Sequence, residues 1–173
     1  AKAVERRAEL PALEHVVVID AATGAAGTGS DDWVISLAEL ERRGAAYLEQ
    51  NPESVKETVA GITADQLATL IYTSGTTGRP KGAVLRQEAL LWNGVMSQHM
   101  HSLTSDDHVL TVLPFFHVGG LNIQTTPALH HGATVTIHAR FAPDTTLATI
   151  AQDRPTLTVL VPATILAVTS HPA

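Results

Sequence analysis

A loop rich in hydroxyl groups and glycines, YTSGTTGRPKG at residues 72–82, has the clearest chemical potential in this sequence. Seven of its eleven residues are Thr, Ser or Gly, and its charged residues are Arg79 and Lys81. Glycines let a backbone approach a ligand closely, successive amide N–H groups form an anion-binding nest, and a lysine adds a mobile positive charge suited to phosphate. The loop follows the apolar run at 67–71 and therefore predicts a phosphate-binding turn behind a strand.

Two well-known phosphate-binding patterns do not fit this chain. Counting from Gly75, the second glycine of a Walker A loop would fall on Pro80. Gly27 and Gly29 begin a dinucleotide-binding pattern, but Asp32 stands where its third glycine belongs. From composition alone, a solvated Gly/Ser/Thr turn explains the 72–82 loop as well as a phosphate site does, so both interpretations stay open at this point.

The elements that would position this loop alternate between short apolar strands and amphipathic helices. Helices of about ten residues between strands favour right-handed crossovers, so we predict an α/β fold with a mostly parallel sheet. Predicted strands cover residues 15–20, 67–73, 83–86, 108–113, 133–138 and 156–161. Predicted helices cover 36–52, 87–100, 119–130 and 143–152, and a last one begins at Pro162.

Local signals sharpen three of these elements in the first third of the chain. Ser36 and Glu39 have the spacing of a capping box at a helix start, and Asn51 before Pro52 is a helix stop. The β-branched run at 15–20 lacks alternation and predicts a strand covered on both faces. The Gly-, Ala- and Thr-rich segment at 21–32 is predicted to be an exposed connection.

Composition excludes several classes of protein. With 173 residues, 45% of them apolar and 16% charged, the chain is long enough for a real core and is not typical of disorder. Residues 1–66 hold 12 acids and 6 bases, and the remainder holds 5 of each, so no basic face exists for nucleic acid. The absence of cysteine excludes disulfides, and no run is apolar enough for a membrane span, so we expect a soluble, cytoplasmic protein. The histidine pairs at 99/101 and 130/131 lack metal-site spacing, and no metal site is predicted.

The loop YTSGTTGRPKG resembles the phosphate-binding signature of the adenylate-forming (AMP-binding) superfamily, in particular its acyl-CoA synthetase, or fatty acid–CoA ligase, branch. Downstream, LPFFHVGGL at 113–121 is similar to the family's substrate-side motif, and VPAT at 161–164 resembles a weaker segment that follows it. The DQLATLIYT lead-in and the HHGATVTI strand also resemble the family. The resemblance spans nearly the whole chain and is weakest in residues 1–59.

The resemblance implies a ligase that works in two steps. A carboxylate attacks the α-phosphate of ATP, with Mg²⁺, to form an acyl-adenylate and pyrophosphate, and the thiol of coenzyme A then displaces AMP. The loop would hold the phosphates, a role that suits positioned donors and cations. The cofactor-binding residues implied are Thr73, Ser74, Gly75, Thr76, Thr77, Gly78 and Lys81.

The same resemblance makes LPFFHVGGL part of the acyl pocket. Phe115 and Phe116 would offer an apolar wall, and His117, the candidate catalytic residue, would orient the carboxylate or line the pocket beside Gly119 and Gly120. The alternative is a histidine that caps the helix start beside two core phenylalanines. No carboxylate lies between residues 109 and 140 to pair a substrate ammonium, so we expect a neutral fatty or aromatic acyl substrate.

Motifs expected later in the family are missing, namely Y-G-x-T-E, T-G-D and the C-terminal domain with its catalytic lysine. The chain therefore resembles a middle slice of the large N-terminal domain, in which residues 1–103 would belong to one α/β subdomain and residues 104–173 would begin another. We expect such a fragment to be inactive without the missing C-terminal part. The alternative is a non-catalytic phosphate-binding or interaction module with the same fold, and a kinase-like transferase is disfavoured by the failed Walker pattern.

Overall fold

The computed structural model describes residues 5–19, 32–73 and 78–172. The chain forms two compact units, Ala1–Ile62 and Thr63–Ala173. The boundary predicted between residues 103 and 104 lies inside the second unit, where a helix before that point contacts helical turns after it. The assignment of these segments to subdomains of a longer protein stays a prediction.

The first unit contains a two-stranded parallel sheet and two helices. Its elements are a 3₁₀ turn at Arg7–Glu9, β1 (Val16–Val18), β2 (Val34–Ser36), α1 (Leu37–Gln50) and α2 (Ser54–Ala60). β1 pairs with β2 in parallel, with Val16 opposite Val34. α2 was not predicted, because it is only seven residues long and lies directly after the Asn51-Pro52 stop signal.

The predicted start and end of α1 are confirmed. The Glu39 amide donates to Ser36 Oγ over 3.1 Å, and Asn51 follows the last helical residue. The capping box is only half formed, because the Glu39 carboxylate accepts from Arg42 and Arg43 instead of from the Ser36 amide. These hydrogen bonds, first from Arg42 and then from Arg43, lower the pKa of Glu39 to about 2.

The prediction that β1 is covered on both faces is wrong. Val17 and Val18 are 36% and 37% exposed. Within the described residues, β1 belongs to a sheet of only two strands, which cannot bury both of its faces. Residues 21–31 of the predicted exposed connection, and residue 20 of the predicted strand, lie outside the described residues, and Asp32 pairs with Arg43 over 2.8 Å.

The second unit begins with a β-hairpin. β3 (Leu67–Thr73) and β4 (Lys81–Arg86) are antiparallel, and α3 (Gln87–His101) follows directly. The alternating pattern favoured parallel neighbours, but the seven residues between these strands are too few for a crossover connection. Ile71 is the buried residue of β3, at 6% exposure.

The rest of the second unit contains the predicted parallel sheet. Its strands are β5 (His108–Thr111), β6 (Thr134–Ile137) and β7 (Leu157–Thr158), in the order β6-β5-β7, with both pairs parallel. α6 (Pro143–Asp153) connects β6 to β7, and α7 (Pro162–Thr169) follows β7. A buried apolar cluster of this unit packs around β5 and contains Leu103, Val109, Ala128 and Ala133; Leu110 and Val112 are buried as well.

The helix predicted at 119–130 is divided into three pieces. They are α4 (Val118–Gly120), a π-helical turn (Leu121–Thr125) and α5 (Thr126–His130). Pro127 has no N–H to donate to a carbonyl one turn earlier, which interrupts regular α-helical pairing. Carbonyls in the turn and directly before it accept from side chains instead: Thr125 Oγ1 donates to the Gly120 carbonyl over 2.7 Å, and Asn93 Nδ2 of α3 donates to the Asn122 carbonyl over 2.6 Å.

The amino ends of β5 and β7 are joined by a polar network around Asp107. Its carboxylate accepts from Thr156 Oγ1 over 2.7 Å and from the Thr104 amide over 2.7 Å. These bonds, that from Thr156 first, hold the pKa of Asp107 below its ordinary value. The network fixes two parallel strands at the sheet end where they begin.

Candidate functional site

The Gly/Ser/Thr loop connects the two strands of the hairpin. β3 ends at Thr73 and β4 begins at Lys81, and these two residues are opposite each other in the register. The structure therefore brings together two predicted phosphate contacts that are eight positions apart. Ser74, Gly75, Thr76 and Thr77 lie outside the described residues, and their predicted roles stay predictions.

Backbone geometry accounts for one glycine of the loop. Gly78 has a φ of +76°, a left-handed conformation that disfavours other residues, and a Cβ there would meet no described residue within 4 Å. A Cβ on Gly82 would lie 3.5 Å from the ring of Tyr72, which is ordinary contact. The requirement at Gly78 is therefore conformational.

Lys81 and Arg79 supply the positive charge at the loop end of this hairpin. Both are exposed, and within the described residues neither has an ion-pair partner. An unpaired lysine at the base of a loop of hydroxyl groups is free to bind an anion without first breaking a salt bridge. This arrangement suits a phosphate group near the facing ends of the two strands.

A second feature is a cavity at the carboxyl ends of the three parallel strands. The connection that follows β5 leads to β6 on one side of it, and the connection that follows β6 leads to β7 on the other side of β5. The two connections therefore separate at this edge of the sheet. Open α/β sheets bind ligands in the crevice outside such a point. A cavity of about 460 Å³ lies there, and we call it the crevice. It is lined by Val112, Leu113, Pro114, Phe116, His138, Ala139, Arg140, Phe141, Val161 and Thr164.

The crevice joins the two substrate-side segments that the sequence singled out. Leu113, Pro114 and Phe116 come from LPFFHVGGL, and Val161 and Thr164 come from VPAT. Of the two phenylalanines, Phe116 lines the crevice and is 82% exposed, whereas Phe115 is 40% exposed. Neither is the core phenylalanine that the helix-capping alternative assumed.

His117 caps the helix start, as that alternative predicted. Its Nδ1 accepts from the Gly119 amide over 3.0 Å, in the geometry of an N-cap side chain. Within the described residues, Nε2 has no hydrogen-bond partner. The cap fixes the orientation of the ring and leaves one nitrogen available, so capping and substrate contact are compatible.

Gly120 is required by close packing. A Cβ at this position would lie 2.3 Å from the Leu113 carbonyl oxygen and 2.5 Å from that of Pro114. A Cβ on Gly119 would meet only the side chains of His117 and Leu113, at 3.2 and 3.3 Å. Gly120 therefore lets the helix start lie directly against the backbone of the crevice wall.

Sequence reasoning missed the third wall of the crevice, the connection from β6 to α6. This wall contributes His138, Ala139, Arg140 and Phe141. Within the described residues Arg140 has no ion-pair partner, and His138 Nε2 lies 3.0 Å from Thr149 Oγ1. Their position directly after a parallel strand was the available signal, because the carboxyl ends of such strands share one edge.

The described residues contain neither a metal-binding cluster nor a membrane-spanning helix. No group of three or more His, Asp or Glu side chains in 5–19, 32–73 and 78–172 is arranged to hold a metal ion. Over the same ranges, no helix combines the length and apolar character needed to cross a bilayer.

Comparison with known proteins adds a family match. A family model described as AMP-binding enzyme matches residues 2–173. The indoleacetate–CoA ligase of Aromatoleum aromaticum is 53% identical over 131 residues, which cover 76% of this chain and 24% of that protein. The feruloyl-CoA synthase of an Amycolatopsis species is 34% identical over 169 residues, which cover 96% of this chain and 34% of that protein.

Solved structures agree with the sequence relatives. The crystal structure of ATP-bound MatB from Rhodopseudomonas palustris superposes with a TM-score of 0.57 at 33% identity, covering 64% of this chain and 22% of MatB. The chain thus spans about a quarter to a third of the length of the curated relatives it matches.

Proposed function

The chain belongs to the AMP-binding enzyme family, and on this premise we propose that it is part of an ATP-dependent ligase that joins a carboxylic acid to coenzyme A. The observation that carries the proposal is the crevice, in which the two substrate-side motifs, 113–121 and 161–164, form walls of one cavity. The relatives named as CoA ligases support the reaction class.

The hairpin would hold the phosphates of ATP and the departing pyrophosphate. Lys81 would place its ammonium beside the phosphate oxygens, and Thr73 opposite it would donate its hydroxyl. Ser74, Thr76 and Thr77 would add donors, with Gly75 and Gly78 allowing the backbone to approach. ATP supplies the α-phosphate that activates the acid, and the Mg²⁺ that accompanies it would take a protein ligand from the Y-G-x-T-E segment that the family resemblance implies and this sequence lacks.

The crevice would hold the body of the acid. Its volume of about 460 Å³ is in the range of small-molecule sites, and its walls are largely apolar. We propose an aromatic acid, rather than the fatty acid that the sequence left equally open, because two similar relatives are named for indoleacetate and ferulate. Nε2 of His117 would orient the carboxylate, with the ring held by its Nδ1 bond to Gly119.

The two-step reaction assigns different tasks to these groups. A carboxylate oxygen attacks the α-phosphorus of ATP. The bond from that phosphorus to the oxygen that bridges the α- and β-phosphates breaks, pyrophosphate leaves with this oxygen, and the acyl-adenylate remains. The coenzyme A thiolate then attacks the acyl carbon and AMP leaves. Positioning of the acid by the crevice and of the anions by the hairpin lowers the barrier without covalent participation of the chain.

We further propose that residues 1–103 and 104–173 belong to two α/β subdomains of the longer ligase, as the family resemblance implies. The remaining catalytic groups would come from the missing C-terminal part. The absence of cysteine and the need for ATP and coenzyme A favour a cytoplasmic location.

The test is ATP–pyrophosphate exchange by the longer polypeptide that contains these 173 residues, with indole-3-acetate and ferulate as acids. We expect exchange that depends on the acid, and pyrophosphate binding without exchange by the 173-residue chain alone. If the longer polypeptide gives no exchange with any carboxylic acid, the ligase proposal is wrong. If the short chain alone gives exchange, the proposal that it lacks catalytic groups is wrong.

A further inference from the structure

A buried glutamine links the π-helical turn to the segment that leads into one wall of the crevice. Gln124 lies in the π-helical turn and is 1% exposed. Its Oε1 accepts the amide N–H of Val159 over 2.8 Å. Val159 directly follows β7 and lies two residues before Val161, which lines the crevice.

The other side of this connection is fixed on the central strand. Thr125, next to Gln124, donates to the Gly120 carbonyl over 2.7 Å, and its Oγ1 lies 2.8 Å from Thr111 Oγ1 at the end of β5. Gly120 in turn packs against the Leu113 and Pro114 carbonyls of the crevice wall. A continuous chain of contacts therefore runs from that wall, through the π-helical turn and Gln124, to the segment after β7.

The hydrogen bond from the Val159 amide to Gln124 stands where a backbone hydrogen bond to β5 would continue the sheet. Thr158 still contacts β5, through its Oγ1 bond to the Leu110 carbonyl over 2.8 Å, but the next residue pairs with a side chain. This explains why β7 has two residues instead of the six predicted at 156–161. The Val159 amide is therefore held by the π-helical turn instead of by β5.

Packing alone does not account for an amide at this position. Gln124 Nε2 is buried and has no hydrogen-bond partner within the described residues. Burying a donor without a partner is unfavourable, and an apolar side chain of similar volume would avoid that cost. The carbonyl half of the amide is the part that the structure uses.

We propose that Gln124 is a positioning residue that sets the width of the crevice, and with it the size of the acid that is activated. The substrate part of this inference rests on the proposed ligase function. Gln124 acts through Val159 and the segment that leads to Val161 and Thr164, without touching the acid itself.

Amide hydrogen exchange of Val159 tests the structural link in the 173-residue chain. Gln124→Met keeps the length of the side chain and removes the acceptor, and Gln124→Leu is a second variant in case the first folds poorly. Thr146→Val is the control, because Thr146 is 0% exposed and its Oγ1 also lacks a partner within the described residues. We expect exchange at Val159 to become roughly tenfold faster in either Gln124 variant and to stay unchanged in Thr146→Val, since one lost hydrogen bond exposes one amide. Unchanged protection of Val159 in both folded variants overturns the proposal.

Kinetics of the longer ligase test the consequence for the substrate. We expect Gln124→Met to raise the KM for indole-3-acetate about three- to tenfold while the KM for ATP stays within about twofold, because the change is confined to the crevice. The kcat/KM ratio between indole-3-acetate and the larger ferulate should shift as well, and Thr146→Val should leave it unchanged. Equal changes in both KM values, or an unchanged ratio, overturn the selectivity role. If the wild-type ligase activates no acid at all, the proposed function fails with it, whereas the Val159 exchange result still decides the structural link.

Discussion

Replacing Gly120 by alanine should destabilise the second unit because the new methyl group would meet backbone atoms. The added Cβ would lie 2.3 Å from the Leu113 carbonyl oxygen, whereas ordinary contact begins near 3.4 Å. These two atoms must therefore move apart by about 1.1 Å (3.4 − 2.3). Neither carbonyl can rotate away without moving the crevice wall. Overpacking of this kind costs about 1–3 kcal/mol in the free energy of unfolding, which is a loss of roughly 5–15 °C in melting temperature for a unit of this size.

Two glycines provide matched controls for this variant. Gly119→Ala brings its Cβ to 3.2 Å from the His117 ring and 3.3 Å from a Leu113 methyl group, which are side-chain atoms with room to adjust, so we expect a smaller loss. Gly44→Ala lies in α1 with nothing within 4 Å and should stabilise that helix by about 0.5–1 kcal/mol. Urea unfolding followed by circular dichroism measures all three variants. A Gly120→Ala protein that unfolds at the same urea concentration as Gly119→Ala would refute the packing argument.

Three further perturbations address charge, protonation and capping. Lys81→Ala should weaken pyrophosphate binding about tenfold, as measured by titration calorimetry. Arg79→Ala should weaken binding less, because Lys81 is the residue opposite Thr73 in the hairpin. Equal losses of affinity in the two variants would contradict a specific role for Lys81. Because the pKa of Glu39 is lowered to about 2 from an ordinary value of 4.5, its contribution to stability is fully present above pH about 4.5 and is lost as pH falls towards 2. Glu39→Gln should remove that part of the acid dependence of unfolding, and an NMR titration of the Glu39 carboxyl with a midpoint near 4.5 would rule this out. His117→Asn keeps a side-chain acceptor for the Gly119 amide and should fold normally while the longer ligase loses at least about tenfold in kcat/KM; full activity would show that His117 only caps the helix.

The sequence was most informative where one element is fixed by its own residues. Ser36 and Asn51 bound α1 as predicted, since capping acts within one turn. The three strands of the parallel sheet also lie within their predicted ranges, and β5 is the strand whose apolar run is buried in the core.

Features that depend on contacts between residues distant in the sequence could not be predicted from the hydrophobic pattern. The exposure of Val17 and Val18 depends on how many strands join β1, which a run of β-branched residues does not encode. The shortening of β7 depends on Gln124, 35 positions before Val159 in the chain. Hydrophobic periodicity identifies the face of an element but not the neighbour that covers it.

Only part of the candidate site was predicted, because its walls come from segments that are distant from one another in the sequence. Phe116 was found through a contiguous motif, whereas Arg140 and His138 belong to a connection without a distinctive pattern. Only the strand order β6-β5-β7 shows that this connection reaches the edge where the two motifs meet. The structure confirms that His117 caps the helix start through one ring nitrogen, and its role towards the substrate stays a prediction.

The polar network around Asp107 lies at the opposite end of the sheet from the crevice. Evolution can therefore alter one end without loosening the other. Replacement of Phe116, Arg140 or Phe141 changes what the cavity admits, while Thr104 and Thr156 continue to hold the strands in register. A library confined to those cavity positions should consequently yield a high proportion of folded proteins with altered acid preference, which makes this sheet a favourable starting scaffold for diversification.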